Sequence, residues 1–390
     1  MAFKVFIIAG EESGDKLGEG LILSLRKQNP DIEIRGIGGN GMSAAGMGQS
    51  LFPMDHLSVM GIAEVVPRIP KFLGLIAKTV QAIRVFDPDV VVTVDAPDFS
   101  FRVQKKIRKL NLRAKQFHYV APTVWAWRSG RAAKVKQFLD GMICLFPFEP
   151  IYFEREGLHS VAVGHPMVSS GLIDGNGIRF RQTHSIPVQQ KVLGIFCGSR
   201  ASEVRGIAPL LIDVAKRVKE KHPDLLCVVP TLPKWKDELQ QMFSSAGCDA
   251  LITADTTEKW DAFHAPDVAI AVSGTVALEI ALAGVPHIVV YKMNKWTWEI
   301  LRRVVKTKFV HLGNVLLGHL VYPEFLQDNA TVEKISSAID TLLSSEIECK
   351  IQEESSRKIL YLLEPNPNEK AADRAAAFIR SYFINERIPE

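Results

Sequence analysis

The sequence predicts an α/β protein with two Rossmann-like domains. Two series of short apolar runs, rich in β-branched residues, alternate with segments of helical periodicity, one before residue 168 and one after residue 190. Apolar runs without polar alternation are typical of parallel strands that are buried on both faces. Gly-rich turns follow several of these runs, and doubly wound sheets bind their ligands at such turns.

The chain length and a polar segment predict the domain limits. A chain of 390 residues has room for two or three domains. Residues 169–190 are polar and contain Gly, Ser, Asn and Pro, so we interpret them as a linker. We expect an N-terminal domain over 1–168 and a second domain over 190–361. The helical end of the chain, about 362–386, is expected to pack back on the first domain.

The composition excludes several classes of protein. Five cysteines without a C-x-x-C pair argue against a zinc site or a disulfide framework and fit a reducing compartment. No apolar run reaches the ~18–20 residues that a membrane span needs. The N-terminal apolar run leads directly into a Gly-rich turn, as a first strand does. We expect a cytoplasmic protein with no metal, no cofactor and no nucleic-acid partner.

A match to the dinucleotide fingerprint follows the second predicted strand. The match is Gly36-x-Gly38-x-x-Gly41. In dinucleotide-binding proteins this fingerprint belongs to the first strand–helix turn and opens a long helix. Here another glycine follows after barely two turns, so we interpret the segment as a Gly-rich connection.

The segment from Met60 to Phe86 is unusually apolar and carries four basic residues against one acid. Two short helices with such a surface would suit a phosphorylated acyl ligand. A core helix followed by a surface helix explains the same pattern.

Two pairs of aspartates flank the strand that ends at Val94. Asp87 and Asp89 precede the strand, whereas Asp95 and Asp98 follow it. Ligands of open α/β sheets bind beyond the carboxyl ends of the strands, so the second pair is the better source of a general base. The same two residues could instead cap the following helix.

Two tryptophans and an arginine follow the next predicted strand, at Trp125, Trp127 and Arg128. Such side chains on a loop need a surface to pack on, either a ligand or the space between a strand and a helix.

Two turns in the second half are predicted to hold a diphosphate. Ser273-Gly274-Thr275 follows an apolar run and opens a helix, whose first N–H groups and positive dipole end favour an anion. Gly198-Ser199-Arg200 repeats this arrangement and adds a cation. Glu279 lies on the same helical face as Thr275, where its carboxylate could accept both hydroxyls of a ribose. An ordinary strand–helix–strand unit remains the alternative.

The net charge of +4 is concentrated in one segment, residues 295–308. In helical register Trp298 lies beside Lys295 and Arg302, which suits an anionic surface such as phospholipid headgroups. A solvated basic face over a core-facing helix is the alternative.

The sequence resembles the lipid-A-disaccharide synthase family over nearly its whole length. The resemblance rests on A-G-E-E-S-G-D from Ala9, V-M-G-I-A-E-V from Val59, D-A-P-D-F from Asp95, H-Y-V-A-P-T-V-W-A-W-R from His118, F-P-F-E from Phe146, G-S-R from Gly198, S-G-T-V-A-L-E from Ser273 and the stretch from Asn314 to Gln327.

This resemblance implies a GT-B fold whose two domains face a cleft that holds the active site. It implies UDP-2,3-diacylglucosamine as the donor and 2,3-diacylglucosamine 1-phosphate (lipid X) as the acceptor, with inversion. It also implies a homodimer that exchanges C-terminal segments, at the cytoplasmic face of the inner membrane. Asp98 corresponds to the family's base, with Glu11 beside it. The implied substrate- and UDP-binding residues are Ser13, Gly198, Ser199, Arg200, Ser273, Gly274, Thr275, Glu279 and Asn314.

The chain departs from the family's pattern at several positions. Glu12 stands where the family usually has Ala, and Cys197 and Gly313 each replace a usual Pro. A stretch of Leu-Gly-His at 317–319 replaces Ala-Gly followed by an acid. A UDP-sugar 2-epimerase with the same architecture is the alternative enzyme, and a non-catalytic lipid- or nucleotide-binding protein is the alternative of another class.

Overall fold

The computed structural model describes residues 2–57, 69–127, 130–294, 298–299, 303, 305, 307–364, 366 and 368–384. Residues 60–68 of the apolar basic segment, Arg128 and most of residues 295–308 lie outside the described residues. Among the described helices, none is long and apolar enough to cross a bilayer.

The chain forms two compact units, Met1–Pro166 with Pro365–Glu390, and Met167–Glu364. The strands are β1 (Lys4–Ala9), β2 (Glu33–Ile37), β3 (Val90–Val94), β4 (Lys115–Tyr119), β5 (Gly141–Cys144), β6 (His159–Ala162), β7 (Val192–Phe196), β8 (Leu226–Pro230), β9 (Ala250–Thr253), β10 (Val268–Val272), β11 (His287–Tyr291) and β12 (Glu324–Leu326).

The main helices alternate with these strands. They are α1 (Glu12–Gln28), α2 (Ile69–Phe86), α3 (Pro97–Lys109), α4 (Arg131–Lys136), α5 (Pro150–Glu154), α6 (Gly177–Thr183), α7 (Ala201–Lys219), α8 (Lys236–Ser245), α9 (Lys259–His264), α10 (Thr275–Leu282), α11 (Leu312–Leu317), α12 (Val332–Ser344), α13 (Glu346–Leu363) and α14 (Ala371–Ile384).

Each unit contains a six-stranded parallel sheet, which confirms the predicted fold class. The strand order is β2-β1-β3-β4-β5-β6 in the first unit and β12-β11-β10-β7-β8-β9 in the second. The central strands β3, β7 and β10 are buried at every residue, as their largely apolar runs predicted, and Thr93 is the one polar residue of the three. The direction of winding reverses between β1 and β3 and between β7 and β10, so these two points are the expected ligand positions.

The end of the chain packs within the first unit. α14 contacts α1, and its Phe378 ring lies 5.9 Å from the ring of Phe117 on β4. The Tyr382 hydroxyl donates to the backbone oxygen of Asp140 at 2.8 Å. The first sheet is therefore covered in part by residues that come more than 200 positions later.

Residues 169–190, which we interpreted as a linker, belong to the second unit and contain α6. Arg179 on α6 donates two hydrogen bonds to the Asp261 carboxylate of α9, at 2.5 and 2.6 Å. The segment is held in the second unit by such ion pairs and by the buried side chains of Phe180 and Ile186, which pack in a core cluster with Val192 and Val228.

A pair of fully buried histidines joins β11 to the start of α11. The Nε2 atoms of His287 and His311 lie 2.8 Å apart, and both rings stack on Tyr322 at 4.4 and 4.5 Å. His287 Nδ1 must donate to the Val285 oxygen, and His311 Nδ1 accepts from the Gly313 amide. His311 Nε2–H therefore donates to His287 Nε2, and both rings are neutral.

This network explains the departure at position 313. A proline there has no N–H group to donate to His311. A Cβ at Gly313 would lie 2.6 Å from the His311 ring, which is too close.

We predict that the histidine pair makes the second unit sensitive to acid. Burial lowers the pKa of His287 to about 4, and burial together with His287 lowers the pKa of His311 well below its usual value. The unfolded chain binds protons near pH ~6.5, whereas the folded pair does not. Stability is therefore complete above that pH and falls as pH decreases toward the folded pKa values, by about 1.4 kcal/mol per pH unit for each histidine.

Hydrogen-exchange protection of the β10 and β11 amides, corrected for intrinsic rates, would be measured at about pH 7.5 and about pH 5.5. The loss on acidification should be smaller in His287→Met than in the wild-type protein. The exposed His319 is the matched control, and His319→Gln should behave as the wild type. An unchanged loss in His287→Met would contradict the assignment.

Candidate active site

A cavity of about 550 Å³ opens in the second unit at the carboxyl ends of β7, β8, β9 and β10. It lies at the point where the winding of this sheet reverses. Seven of the predicted binding residues line it: Gly198, Ser199, Arg200, Ser273, Gly274, Thr275 and Glu279. The structure thus brings together two turns that are 75 residues apart in sequence.

The turn Ser273-Gly274-Thr275 leaves the start of α10 open. No side chain caps this helix, and no heavy atom lies within 4 Å of the position that a Cβ on Gly274 would take. The Ser273 hydroxyl donates away from the helix, to the Val310 oxygen at 3.2 Å. The first N–H groups of α10 therefore keep their capacity for an anion, next to the positive end of the helix dipole.

The turn Gly198-Ser199-Arg200 is different, because its amides face a carboxylate of the chain itself. Glu203 accepts from the Ser199 and Arg200 amides at 3.1 and 3.3 Å and from the Arg200 guanidinium at 2.9 Å. A Cβ at Gly198 would lie 2.5 Å from the Glu203 carboxylate, so glycine makes room for this contact.

Glu203 changes the expected role of this turn. The sequence predicted a glycine turn whose cation would meet phosphate, and the structure leaves the Arg200 side chain, which is 80% exposed, as the accessible group while Glu203 binds the amides. The three-residue spacing from Arg200 to Glu203 is that of a capping box, and it was the available signal in the sequence.

Glu279 lies on α10 with its side chain largely buried in the cavity wall. The Lys259 ammonium lies 3.4 Å from its Oε1 atom. Burial raises the pKa of Glu279, and Lys259 acts in the opposite direction. Lys259 belongs to no sequence motif of the site, because it lies on α9, one helix earlier in the chain.

Asn314 lies behind the cavity wall and does not line it. Its Nδ2 donates to the Tyr322 oxygen and to Glu324 Oε1, at 2.8 and 2.9 Å. Its Oδ1 accepts from the Val321 and Tyr322 amides. Glu324 also accepts from the amide of Val310, which does line the cavity. Asn314 thus supports this part of the wall from behind.

In the first unit, Glu11 and Asp98 follow the carboxyl ends of the neighbouring strands β1 and β3, Glu11 just before α1 and Asp98 as the second residue of α3. Gly10 allows the two segments to approach, since a Cβ there would lie 2.7 Å from the Ala96 Cβ. Asp95 and Ala96 both have φ near 50°, a strained conformation that sets the direction in which α3 begins.

The Asp98 carboxylate is 91% exposed and lies 3.9 Å from the Arg131 guanidinium. Ser13 is exposed in the first turn of α1.

A second cavity, of about 760 Å³, lies in the first unit beside the fingerprint segment. The buried carboxylate of Asp15 accepts from the amides of Gly39, Gly41 and Met42, at 2.6, 2.9 and 3.2 Å. These amides would cradle phosphate in a dinucleotide site. Asp15 takes that place, so the segment is a structural connection, as we interpreted it.

The aspartates that precede β3 also have structural partners. Asp89 accepts from the Lys4 amide at 2.8 Å, and Asp87 pairs with Arg113.

The tryptophan motif packs on a buried carboxylate of the same unit. The Trp125 indole donates to Glu149 at 3.2 Å, and Glu149 also accepts from the Leu145 and Phe146 amides. Burial raises the pKa of Glu149 to about 7 in spite of these three donors. Glu149 anchors the loop after β4 to the end of β5, a role that its place in F-P-F-E did not reveal.

Two parallel sheets of this topology define a protein of the GT-B class. A UDP-GlcNAc 2-epimerase from Neisseria meningitidis superposes with a TM-score of 0.57 at 13% identity, covering 93% of this chain and 100% of that one. A glycosyltransferase from Rickettsia africae superposes with a TM-score of 0.59 at 13% identity, covering 98% and 99%. Identities this low establish the fold alone.

The family described as lipid-A-disaccharide synthetase matches residues 5–378. A lipid-A-disaccharide synthase of Rhodospirillum centenum is 43% identical over 341 residues, which cover 87% of this chain and 85% of that protein. The enzyme of Paramagnetospirillum magneticum is 38% identical over 382 residues, covering 96% and 97%. The chain belongs to the lipid-A-disaccharide synthase family, and its activity is glycosyl transfer in lipid A biosynthesis.

Proposed function

We propose that the chain transfers 2,3-diacylglucosamine from UDP-2,3-diacylglucosamine to lipid X, with inversion and without a metal ion. The products are the β(1→6) disaccharide 1-phosphate and UDP. The observation that carries this proposal is the open start of α10, which lies in one cavity with Arg200 and Glu279.

The second unit is assigned to the donor. The diphosphate binds the first amides of α10, and Arg200 supplies a cation to it. Gly274 lets the backbone approach the phosphates, because the space that a Cβ would enter is open and is left to the ligand. Glu279 accepts the ribose hydroxyls from the same helix. Ser273 and Asn314 hold the neighbouring wall through Val310 and Glu324.

The first unit is assigned to the acceptor, with Asp98 as the base. An exposed carboxylate beyond the carboxyl end of β3 is accessible to a substrate hydroxyl, and the Arg131 guanidinium lies 3.9 Å from it. Glu11 lies on the neighbouring turn and serves as a second polar group for the acceptor.

The reaction is a single displacement. Asp98 takes the proton of the acceptor 6-hydroxyl as its oxygen forms a bond to the anomeric carbon. The bond between that carbon and the UDP oxygen breaks, and the electron pair leaves with UDP. The helix amides and Arg200 stabilise the charge that develops on the leaving group, which is the largest contribution expected from the protein. Attack opposite the leaving group inverts the anomeric centre.

We also propose that the protein binds the surface of the inner membrane peripherally. The supporting residues are on α2, which exposes the apolar Leu73, 45% accessible, and the basic side chains of Lys71 and Lys78. The homodimer with exchanged C-terminal segments stays a prediction of the family resemblance.

The purified protein should release UDP from UDP-2,3-diacylglucosamine when lipid X is present and form the disaccharide 1-phosphate, detected by mass spectrometry. Lipid X without its 6-hydroxyl is the matched control and should give no product. Excess EDTA should leave the rate unchanged. UDP release that ignores the acceptor would indicate an epimerase-like enzyme or a hydrolase, and a rate lost in EDTA and restored by Mg²⁺ would contradict the metal-free mechanism.

Asp98→Asn should lower turnover by about 10²–10⁴-fold, because the acceptor hydroxyl loses its base. UDP affinity, measured by calorimetry, should stay at the wild-type value, since Asp98 belongs to the acceptor side. The control is Asp31→Asn, which removes an exposed carboxylate of the same unit and should have no effect. Turnover near the wild-type rate in Asp98→Asn would exclude Asp98 as the base.

A further inference from the structure

Lys259 places a second cation in the cavity of the second unit, besides Arg200. Its Nζ atom lies 3.4 Å from Glu279 Oε1 and 3.7 Å from the centre of the Trp260 ring. An ammonium between an aromatic face and a carboxylate is attracted by both. Its side chain is 41% exposed, so it is accessible from the cavity.

The helix that carries Lys259 is firmly held. Asp261, two residues further on, pairs with Arg179 and accepts from the Asn176 amide at 2.8 Å. The Trp260 indole donates to the Ser170 oxygen at 3.0 Å. These contacts fix α9, and therefore the position of the ammonium relative to Glu279.

Glu279 needs such a partner, because its environment disfavours its charge. Burial raises the pKa of this carboxyl, and Lys259 is the described group that lowers it. Among the described residues, no other cation of the cavity pairs with Glu279. Arg200 pairs with Glu203, and Asp255 accepts from the amide and the hydroxyl of Thr257.

The groups behind α10 do not supply the missing charge either. His287 and His311 are neutral, since burial lowers the pKa of both rings. From α13, Gln352 accepts from the His287 amide with an uncharged side chain. Among the described groups that surround Glu279, Lys259 is therefore the one that opposes burial and favours the ionised carboxylate.

We propose that Lys259 is a specificity-determining positioning residue, which keeps Glu279 as an oriented carboxylate and thereby makes the cavity prefer a ribonucleoside diphosphate to its 2′-deoxy form. A carboxylate accepts hydrogen bonds at both oxygens, whereas a protonated carboxyl donates from one oxygen and accepts at the other. Both ribose hydroxyls can therefore donate at once to the ionised form, and these bonds to a charged acceptor are the stronger ones. The inference rests on the proposed UDP site.

The test is calorimetric titration of the full-length protein with UDP and with 2′-deoxy-UDP, at about pH 6 and about pH 8.5. The ratio of the two affinities is the readout, because titration of the phosphates affects both ligands equally. The wild type should prefer UDP by about tenfold at both pH values, as expected for one hydrogen bond to a charged group. Lys259→Met should keep this preference at the higher pH and lose it at the lower pH.

Two variants complete the experiment. Lys259→Arg should restore the wild-type preference at both pH values, and Glu279→Gln should lack it at both. Lys259→Gln provides a second neutral replacement, and circular dichroism verifies that each variant is folded.

Two results would overturn the proposal while leaving the UDP site intact. One is a preference in Lys259→Met that matches the wild type at both pH values. The other is an equal loss of affinity for both nucleotides, which would assign Lys259 to the phosphates. If the wild type bound neither nucleotide, the proposed function itself would fail as well.

Discussion

The N–H groups at the start of a helix need an acceptor, and this constraint organises the sites of both units. Three Gly-rich turns of the chain satisfy these N–H groups in two ways. Asp15 fills the turn at residues 39–42, and Glu203 fills the turn before α7, each with a carboxylate of the chain itself. The turn before α10 has no such side chain. The N–H groups of this turn are therefore available to an anionic ligand.

The surroundings of the open turn suit that ligand. Among the described residues, the cavity of the second unit is lined by two cations, Arg200 and Lys259, and three carboxylates, Glu203, Asp255 and Glu279. In the part of the chain that the structure describes, the larger cavity of the first unit is lined by Glu12, Asp15, Glu19 and Asp55 against Lys16 alone. The excess of acids in the first unit's cavity would repel a diphosphate. The second unit's cavity offers two cations beside the open start of α10.

The sequence predicted what depends on local pattern. Apolar runs located the strands, and the spacing of Ser273, Gly274, Thr275 and Glu279 placed these residues in one cavity. The sequence did not predict which turns have their amides bound by a carboxylate of the chain itself. Asp15 reaches amides that are 24 to 27 residues away, and no periodic pattern marks such a contact.

The remaining differences also come from tertiary contacts. Gly313 interrupts the family's pattern, but its reason lies in His311 and His287, which meet only in the folded unit. Asn314 was recognised by family resemblance, yet its amide is used entirely within the protein, next to Glu324. Lys259 has no motif, because its partner is a residue 20 positions later on another helix.

Thr275 offers the most direct test that the start of α10 is the anion site, because it is the exposed first residue of that helix. Thr275→Asp would supply a carboxylate of the chain, as the other two turns have, and Thr275→Asn is its neutral match. Calorimetry should show UDP bound at least about tenfold more weakly by Thr275→Asp than by Thr275→Asn, because the introduced carboxylate repels the diphosphate. The thermal stability of Thr275→Asp should be equal or higher, since the carboxylate favours the helix dipole. Equal UDP affinity in the two variants would show that the diphosphate binds elsewhere.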